Sequence, residues 1–282
     1  MKFKDTKYGD LTGENYEGNI IVRNMKLTSL EGAPQTVQGD FDCNSNNLTS
    51  LKGAPQIVEG DFDCSYNKVT SLKGAPQTVQ GDFDCSYMKL TSLKGVPKTV
   101  HGDFNCSINK LTSLKGAPQT VQGYFDCSGN ELTSLEGSPK KIQSYFNCRV
   151  NKLLTLEGAP ETVNGYFNCS FNNLTSLEGS PKKIQGYFDC SNNNLTSIDG
   201  APEVIKTTLH CDKNRLVTLK GLKVANIKAI RCNENLNKQL DKEWELRKEN
   251  PTMTEEEIKE IMYDLTQEEY YLPQEAMDIF FF

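Results

Sequence analysis

The chain is short of the residues that most often carry chemistry. Among its 282 residues there are two histidines, His101 and His210, and one tryptophan, Trp244. No hydrophobic run approaches the ~20 residues a membrane-spanning helix needs, so no membrane partner is expected. The opening segment MKFKDTKYGDLTGENYEG lacks the apolar centre of a secretory leader, which makes a cytoplasmic protein the expectation. Net charge is -6 and the pI is near 5.2, with no basic stripe of the kind that tracks a phosphate backbone. Direct nucleic-acid binding is therefore not expected. Hydrophobic residues make up 37% of the chain. That is low for a globule but suits an elongated array, in which each unit buries a narrow core against its neighbours.

Clustered cysteine is missing too. There are ten cysteines and no C-x-x-C pair, so the usual zinc-ligand spacing is absent. They fall instead on a grid of 21 residues: Cys43, Cys64, Cys85, Cys106, Cys127, Cys148, Cys169, Cys190, Cys211 and Cys232. Val22 holds the same phase one unit earlier, which gives about eleven turns. Other columns share the phase. Two residues before each cysteine stands Phe, as at Phe41, Phe83 and Phe188, or an aliphatic at the ends, Ile20, Leu209 and Ile230. Three residues after it comes Asn, from Asn46 to Asn235, with Met25 and Met88 as exceptions. Five after it comes Leu or Val, then a Gly and a Pro, from Gly32 and Pro34 to Gly200 and Pro202. A Val or Ile closes the unit, as at Val37, Val79, Ile142 and Ile184.

Each column has a physical reason. In Phe-x-Cys the two outer residues point to one face of a strand and the residue between them to the other. Asparagine stands where the strand ends, and its amide can serve backbone groups that a buried turn would leave unpaired. The Gly-x-Pro segment has no helical periodicity, so the return limb should be extended. A single turn cannot bury its own Phe, Cys and Leu, whereas stacked turns make a continuous core.

The stretch Phe83-Asp84-Cys85-Ser86-Tyr87-Met88-Lys89-Leu90 and its siblings follow the pattern L-x-L-x-x-N-x-L, with Phe and Cys in the first two leucine slots. By these residues the chain resembles the leucine-rich repeat family. The LTSLEGAP segment is similar to the short return limb of bacterial members, and FDCSxNxLTSLxGAP arrays resemble repeat proteins of bacteria and bacteriophages. The resemblance covers residues 17–236. It implies a right-handed solenoid with a parallel sheet on its concave face and an extended convex side, and it says little about function, because the fold hosts many.

The ends depart from the grid. Residues 1–16 are expected to form an N-terminal cap. Residues 237–282 should form a helical C-terminal cap over the last strand edge. Within them Thr254-Glu255-Glu256-Glu257 reads as a capping box, Ile258, Ile261, Met262 and Leu265 are at helical spacing, and an earlier helix around Leu240 and Trp244 should break near Pro251. The apolar Ile279-Phe280-Phe281-Phe282 offers a self-association contact.

Candidate chemistry is thin. Evenly spaced, inward-pointing cysteines should act as small buried hydrophobes rather than as disulfides or ligands. A triad of His101, Asp103 and Ser107 can be imagined, but Asp103 and Ser107 occupy phases shared by other repeats, so neither an enzyme nor a cofactor is expected. The outward strand positions carry more information. Three residues before cysteine stand Asp40, Asp61, Asp82 and Asp103, then Tyr124, Tyr145, Tyr166 and Tyr187. One before it stand Asp42, Asp63 and Asp84, then a mixture of Asn and Asp. These two carboxylate ladders and the tyrosine ladder point to a face that recognises a macromolecular partner, most naturally a protein, and by resemblance a host factor met by a phage protein. A DNA mimic that occupies a nucleic-acid-binding protein, and a structural component that binds cations, are alternatives. So is a harmless, solvated aspartate copied from turn to turn.

Overall fold

The computed structural model describes residues 1–216 and 228–232. The expected helices of residues 237–282 lie outside the described residues. Among the described residues the one helical element is a 3-10 turn, Phe3–Asp5.

Each full turn up to Phe188–Asp189 contributes two strands of two residues, and the last strands of the Phe sheet, Thr208–His210 and Ala229–Arg231, have three. The Phe position begins one of them, as in Phe41–Asp42, Phe62–Asp63 and Phe83–Asp84, and these stack into an 11-stranded sheet running from Ile20–Ile21 to Ala229–Arg231. The return limb, expected to be merely extended, carries a ladder of its own. Asn15–Tyr16, Thr36–Val37, Ile57–Val58 and their successors form a 10-stranded sheet that ends at Val204–Ile205. Every neighbouring pair is parallel and in register with the grid, Phe41 opposite Phe62 and Val37 opposite Val58. A parallel solenoid is the result, its turns hydrogen-bonded on two sides. Only a shift of a whole unit preserves the inward side chains, because a slip of one residue would turn Phe and Cys outward.

The core follows from the columns. Phe41 through Phe188, the cysteines from Cys43 to Cys190, the leucines after them and the closing Val or Ile are at most 1% exposed. Adjacent phenylalanine rings lie 5.2 Å apart at Phe62–Phe83 and 6.0 Å at Phe41–Phe62. At the N-terminal end Phe3 is buried and stacks on Phe41 at 6.2 Å, while Lys2 and Lys4 both pair with Glu31. The eight cysteines from Cys43 to Cys190 are free thiols, and all are buried. Burial raises the thiol pKa well above its usual value at Cys85 and Cys106, so the column stays protonated and packs as hydrophobe.

The asparagine ladder stitches the turns from inside. The Asn130 amide donates to the carbonyls of Cys106, Cys127 and Ser128 at 3.1, 3.0 and 3.2 Å, and its oxygen accepts the Leu111 N–H at 3.0 Å. Asn67, Asn109, Asn151, Asn172 and Asn193 repeat the same pattern of donation to three carbonyls. One buried side chain thus serves four backbone groups that the bend removes from both ladders.

Candidate recognition face

The outward side of the Phe sheet holds both aspartate columns and the tyrosine column. Glycine makes the first of them possible. The residue before each of these aspartates is Gly39, Gly60, Gly81 or Gly102, and a Cβ at Gly81 would collide with Oδ1 of Asp61 one turn earlier. Into that space the carboxylate folds. Oδ1 of Asp40 accepts the Asp61 N–H at 2.9 Å, Asp61 accepts from Asp82 and Asp82 from Asp103, both at 2.7 Å, and Asp103 accepts from Tyr124 at 2.7 Å. Expected as a solvated or partner-facing row, the aspartates are also bonds between turns. Asp40 spends its second oxygen on the Asn19 amide at 2.9 Å. Asp61 and Asp82 stay exposed overall while Asp40 and Asp103 are half-buried. Desolvation lifts the Asp61 pKa above the ordinary carboxylate value.

The second column is half-buried at Asp42, Asp63 and Asp84. Each Oδ1 closes a local turn by accepting the N–H two residues on, at 3.1 Å from Asn44, 2.9 Å from Ser65 and 2.8 Å from Ser86. Burial raises the pKa of Asp42 and of Asp84. Further along, asparagine relieves the like-charge contact: Asn105 donates to Asp84 Oδ2 at 3.0 Å and Asn147 to Asp126 Oδ2 at 2.9 Å.

Past Asp103 the outer column changes its physics. Tyr124, Tyr145, Tyr166 and Tyr187 stack face to face, with centroids 4.4, 4.3 and 4.6 Å apart and interplanar angles of 9°, 7° and 4°. All four rings are half-buried, and desolvation raises their pKa values, to about 12 at Tyr124. Since the ring faces cover one another, this half of the sheet shows solvent a row of ring edges and phenol oxygens. Such a row suits hydrogen bonding and edge contact and leaves no open π-face between neighbouring rings for a base or sugar to stack on.

The structure also holds a feature the sequence reading missed. Two residues after each cysteine from Cys43 to Cys211 the backbone turns into the left-handed region, among them at Tyr66, Tyr87, Ile108, Val150 and Phe171 with φ of 51°, 50°, 52°, 55° and 55°. Glycine or asparagine would be the expected occupant; glycine appears once in this run, at Gly129. Each of the five bulky side chains is exposed, Tyr66 by 52% and Phe171 by 49%. Tyr66 and Tyr87 stack at 4.2 Å. A local cost of about 1–2 kcal/mol at each β-branched position is borne for no gain in the core. The signal was present in the sequence as a run of large residues where a tight turn should stand.

The imagined triad does not assemble. His101 Nδ1 lies 3.2 Å from the Gln122 amide, and Asp103 is engaged with the Tyr124 N–H. Among the described residues no group of three His, Cys, Asp or Glu side chains is disposed to hold a metal ion. The depression lined by Asp61, Asp63, Asp82, Asp84, Asn105 and Tyr124 is shallow and open.

No known protein family's sequence profile matches the chain, and no curated protein matches it. Among solved structures it is similar to YopM from Yersinia enterocolitica WA-314, with 18% identity and a TM-score of 0.43, over 78% of this chain and 58% of that one. The chain thus spans less than two thirds of YopM.

Proposed function

We propose that the chain is a non-catalytic binding scaffold that recognises a protein partner through the outward side of its Phe sheet. One observation carries the reading: the outer column passes from Asp103 to Tyr124 while Phe, Cys, Asn and Leu continue across the boundary unchanged. Turn-to-turn copying alone would not divide a face in two. The acidic half presents the carboxylates of Asp40, Asp42, Asp61, Asp63, Asp82, Asp84 and Asp103 to a basic patch. The second half offers Tyr124, Tyr145, Tyr166 and Tyr187, a residue type enriched at interfaces because it gives large contact area at low entropic cost. The exposed residues at the left-handed turns adjoin this face in sequence and extend its apolar area. Resemblance to bacterial and phage arrays supports a bacterial host factor in the host cytoplasm as the target. The row of four carboxylates, its oxygens half spent on backbone N–H groups, gives less support to a DNA mimic.

The test is capture from bacterial lysate on immobilised full-length protein. Wild type should retain a specific protein that a Tyr145→Ala/Tyr166→Ala variant and an Asp61→Asn/Asp82→Asn variant lose, with both variants still folded by circular dichroism. Equal capture by all three would sink the proposal.

A further inference from the structure

A second column changes character at the same boundary, on another side of the turn. Nine residues after the cysteines from Cys43 to Cys190 stand Lys52, Lys73, Lys94 and Lys115, followed by Glu136, Glu157, Glu178 and Asp199; one turn earlier the same phase holds Glu31, which pairs with Lys2 and Lys4. All eight are exposed. They occupy one backbone geometry. In each turn the N–H of the charged residue is held by the hydroxyl two residues earlier, at 3.1 Å for Lys115 on Ser113 and 2.9 Å for Glu136 on Ser134, and a glycine with positive φ follows. Only the sign differs. The four ion pairs among the described residues join Lys2 and Lys4 to Glu31, Arg23 to Asp42 and Lys152 to Glu131, and involve none of the eight.

The charges are therefore uncompensated within the described solenoid, and with turns ~4.8 Å apart each half is a row of closely spaced like charges. Neighbouring residues reinforce the division. Five residues before the column, Lys68, Lys89 and Lys110 are exposed on the basic side and Glu131 on the acidic side, where Lys152 stands opposite in sign. Between the charged positions the surface is threonine and serine, as in Thr91-Ser92 and Thr112-Ser113, small enough for close approach. Lys140, Lys141, Lys182 and Lys183 come after the following proline, and none forms an ion pair with the acidic row.

We infer that this Lys/Glu side is a self-complementary docking surface for a second copy of the chain, lying antiparallel. Over the eight turns from Lys52 to Asp199 the sign pattern is four positive turns followed by four negative ones, and it is its own complement when reversed. A twofold axis between the turns of Lys115 and Glu136 sets Lys115 of one copy against Glu136 of the other, Lys94 against Glu157, Lys73 against Glu178 and Lys52 against Asp199. Every pair then occurs twice, the reciprocity a closed isologous dimer requires. A polyanion laid along the side would meet attraction in one half and repulsion in the other, which favours the second copy over nucleic acid. Single exposed ion pairs are weak, so the dimer depends on the whole network and on low salt. This surface is separate from the Phe-sheet face, and the inference does not rest on the proposed function.

Sedimentation velocity on the full chain, from about 1 to about 100 µM at low ionic strength, is the measurement. Wild type should dimerise, with a dissociation constant that rises about tenfold or more between ~0.05 and ~0.5 M salt. Two charge-reversed variants provide the control: Lys52→Glu/Lys73→Glu/Lys94→Glu/Lys115→Glu and Glu136→Lys/Glu157→Lys/Glu178→Lys/Asp199→Lys. Each alone should be monomeric, with circular dichroism showing it folded. Mixed in equal amounts, one copy wholly acidic and the other wholly basic along this side, they should pair. A wild type monomeric throughout, a dimer that both variants still form alone, or a mixture that stays monomeric would overturn the inference.

Discussion

The turns of Asp40–Asp103 and those of Tyr124–Tyr187 solve one problem in two ways. Both stack the same inner columns of Phe, Cys, Asn and Leu, broken in the first half only by Val69 and Met88, and both must fasten the outer rim of one turn to the next. The first half does so with a carboxylate that accepts the next turn's N–H at 2.7 to 2.9 Å. The second does so with rings packed 4.3 to 4.6 Å apart. The first fastening places like charges in a row and should respond to salt and pH. The second is neutral up to strongly alkaline pH and should respond to neither. A solenoid is thus specified from inside, and its rim is free to carry function.

The largest expected effect lies in what the halves share. Asn130→Ala leaves the carbonyls of Cys106, Cys127 and Ser128 and the Leu111 N–H without the bonds the amide supplied. A loss of about 3–5 kcal/mol follows from several buried groups left unsatisfied. Asn67→Ala in the acidic half and Asn172→Ala in the tyrosine half should cost the same within error in urea unfolding. A clear inequality would show that the halves differ inside as well as at the rim.

Next comes the tyrosine rim. Tyr166 is sandwiched between Tyr145 and Tyr187, so Tyr166→Ala removes two stacking contacts and half-buried ring area, about 2–3 kcal/mol. Tyr166→Phe keeps the stack and should cost far less. Neither loss should depend on ionic strength, and a Tyr166→Phe loss as large as that of Tyr166→Ala would mean that the phenol oxygens, rather than the rings, join the turns.

Met88 is a natural gap in the inner ladder. A thioether supplies neither the amide donors nor the carbonyl acceptor of the other turns, and the Lys89 N–H to Val69 carbonyl bond beside it is 3.3 Å long against 2.9 Å for Lys68 to Leu48. Met88→Asn should restore the set that Asn109 makes one turn later and raise stability by about 1 kcal/mol in thermal or urea melts. An unchanged or lower midpoint would mean that the Met88 side chain, 7% exposed, compensates by packing.

How legible this was depends on the length scale. The 21-residue cysteine grid announces a solenoid because periodicity survives any local ambiguity. The asparagine column announces a turn that needs an amide. The second sheet was hidden, because Thr36–Val37 and its siblings are only two residues long, too short for alternation to show. The aspartate-to-N–H ladder was hidden too. Asp61 and Gly81 are remote in sequence, and only the stacked register reveals that the glycine makes room for the carboxylate. At Tyr66, Ile108 and Val150, residue preference argues against the left-handed turn the chain adopts, so composition misleads at the point where the surface departs from what folding alone requires.

The smallest effect tests the acidic rim itself. Folded-state pKa values of Asp42, Asp61 and Asp84 are raised, each chiefly by desolvation and secondarily by aspartates on neighbouring turns. A raised carboxylate pKa means that the folded state binds more protons than the unfolded one between the unfolded pKa, near 4, and the higher folded value. Stability contributed by these groups therefore falls as pH rises through that window, and the penalty stands in full at neutral pH. Asn at all three positions keeps an oxygen able to accept the same N–H and removes the charge. The triple variant should exceed wild type by about 1 kcal/mol at pH 7 and low salt. That margin should shrink as salt is added, because screening already weakens the repulsion, and it should close as pH is lowered through the carboxylate range. The matched measurement on Tyr145→Phe should show neither trend. If the Asn variant is instead less stable at every pH and ionic strength, the charge-assisted bonds of the rim outweigh its repulsion, and the aspartates are structural first and available to a partner only second.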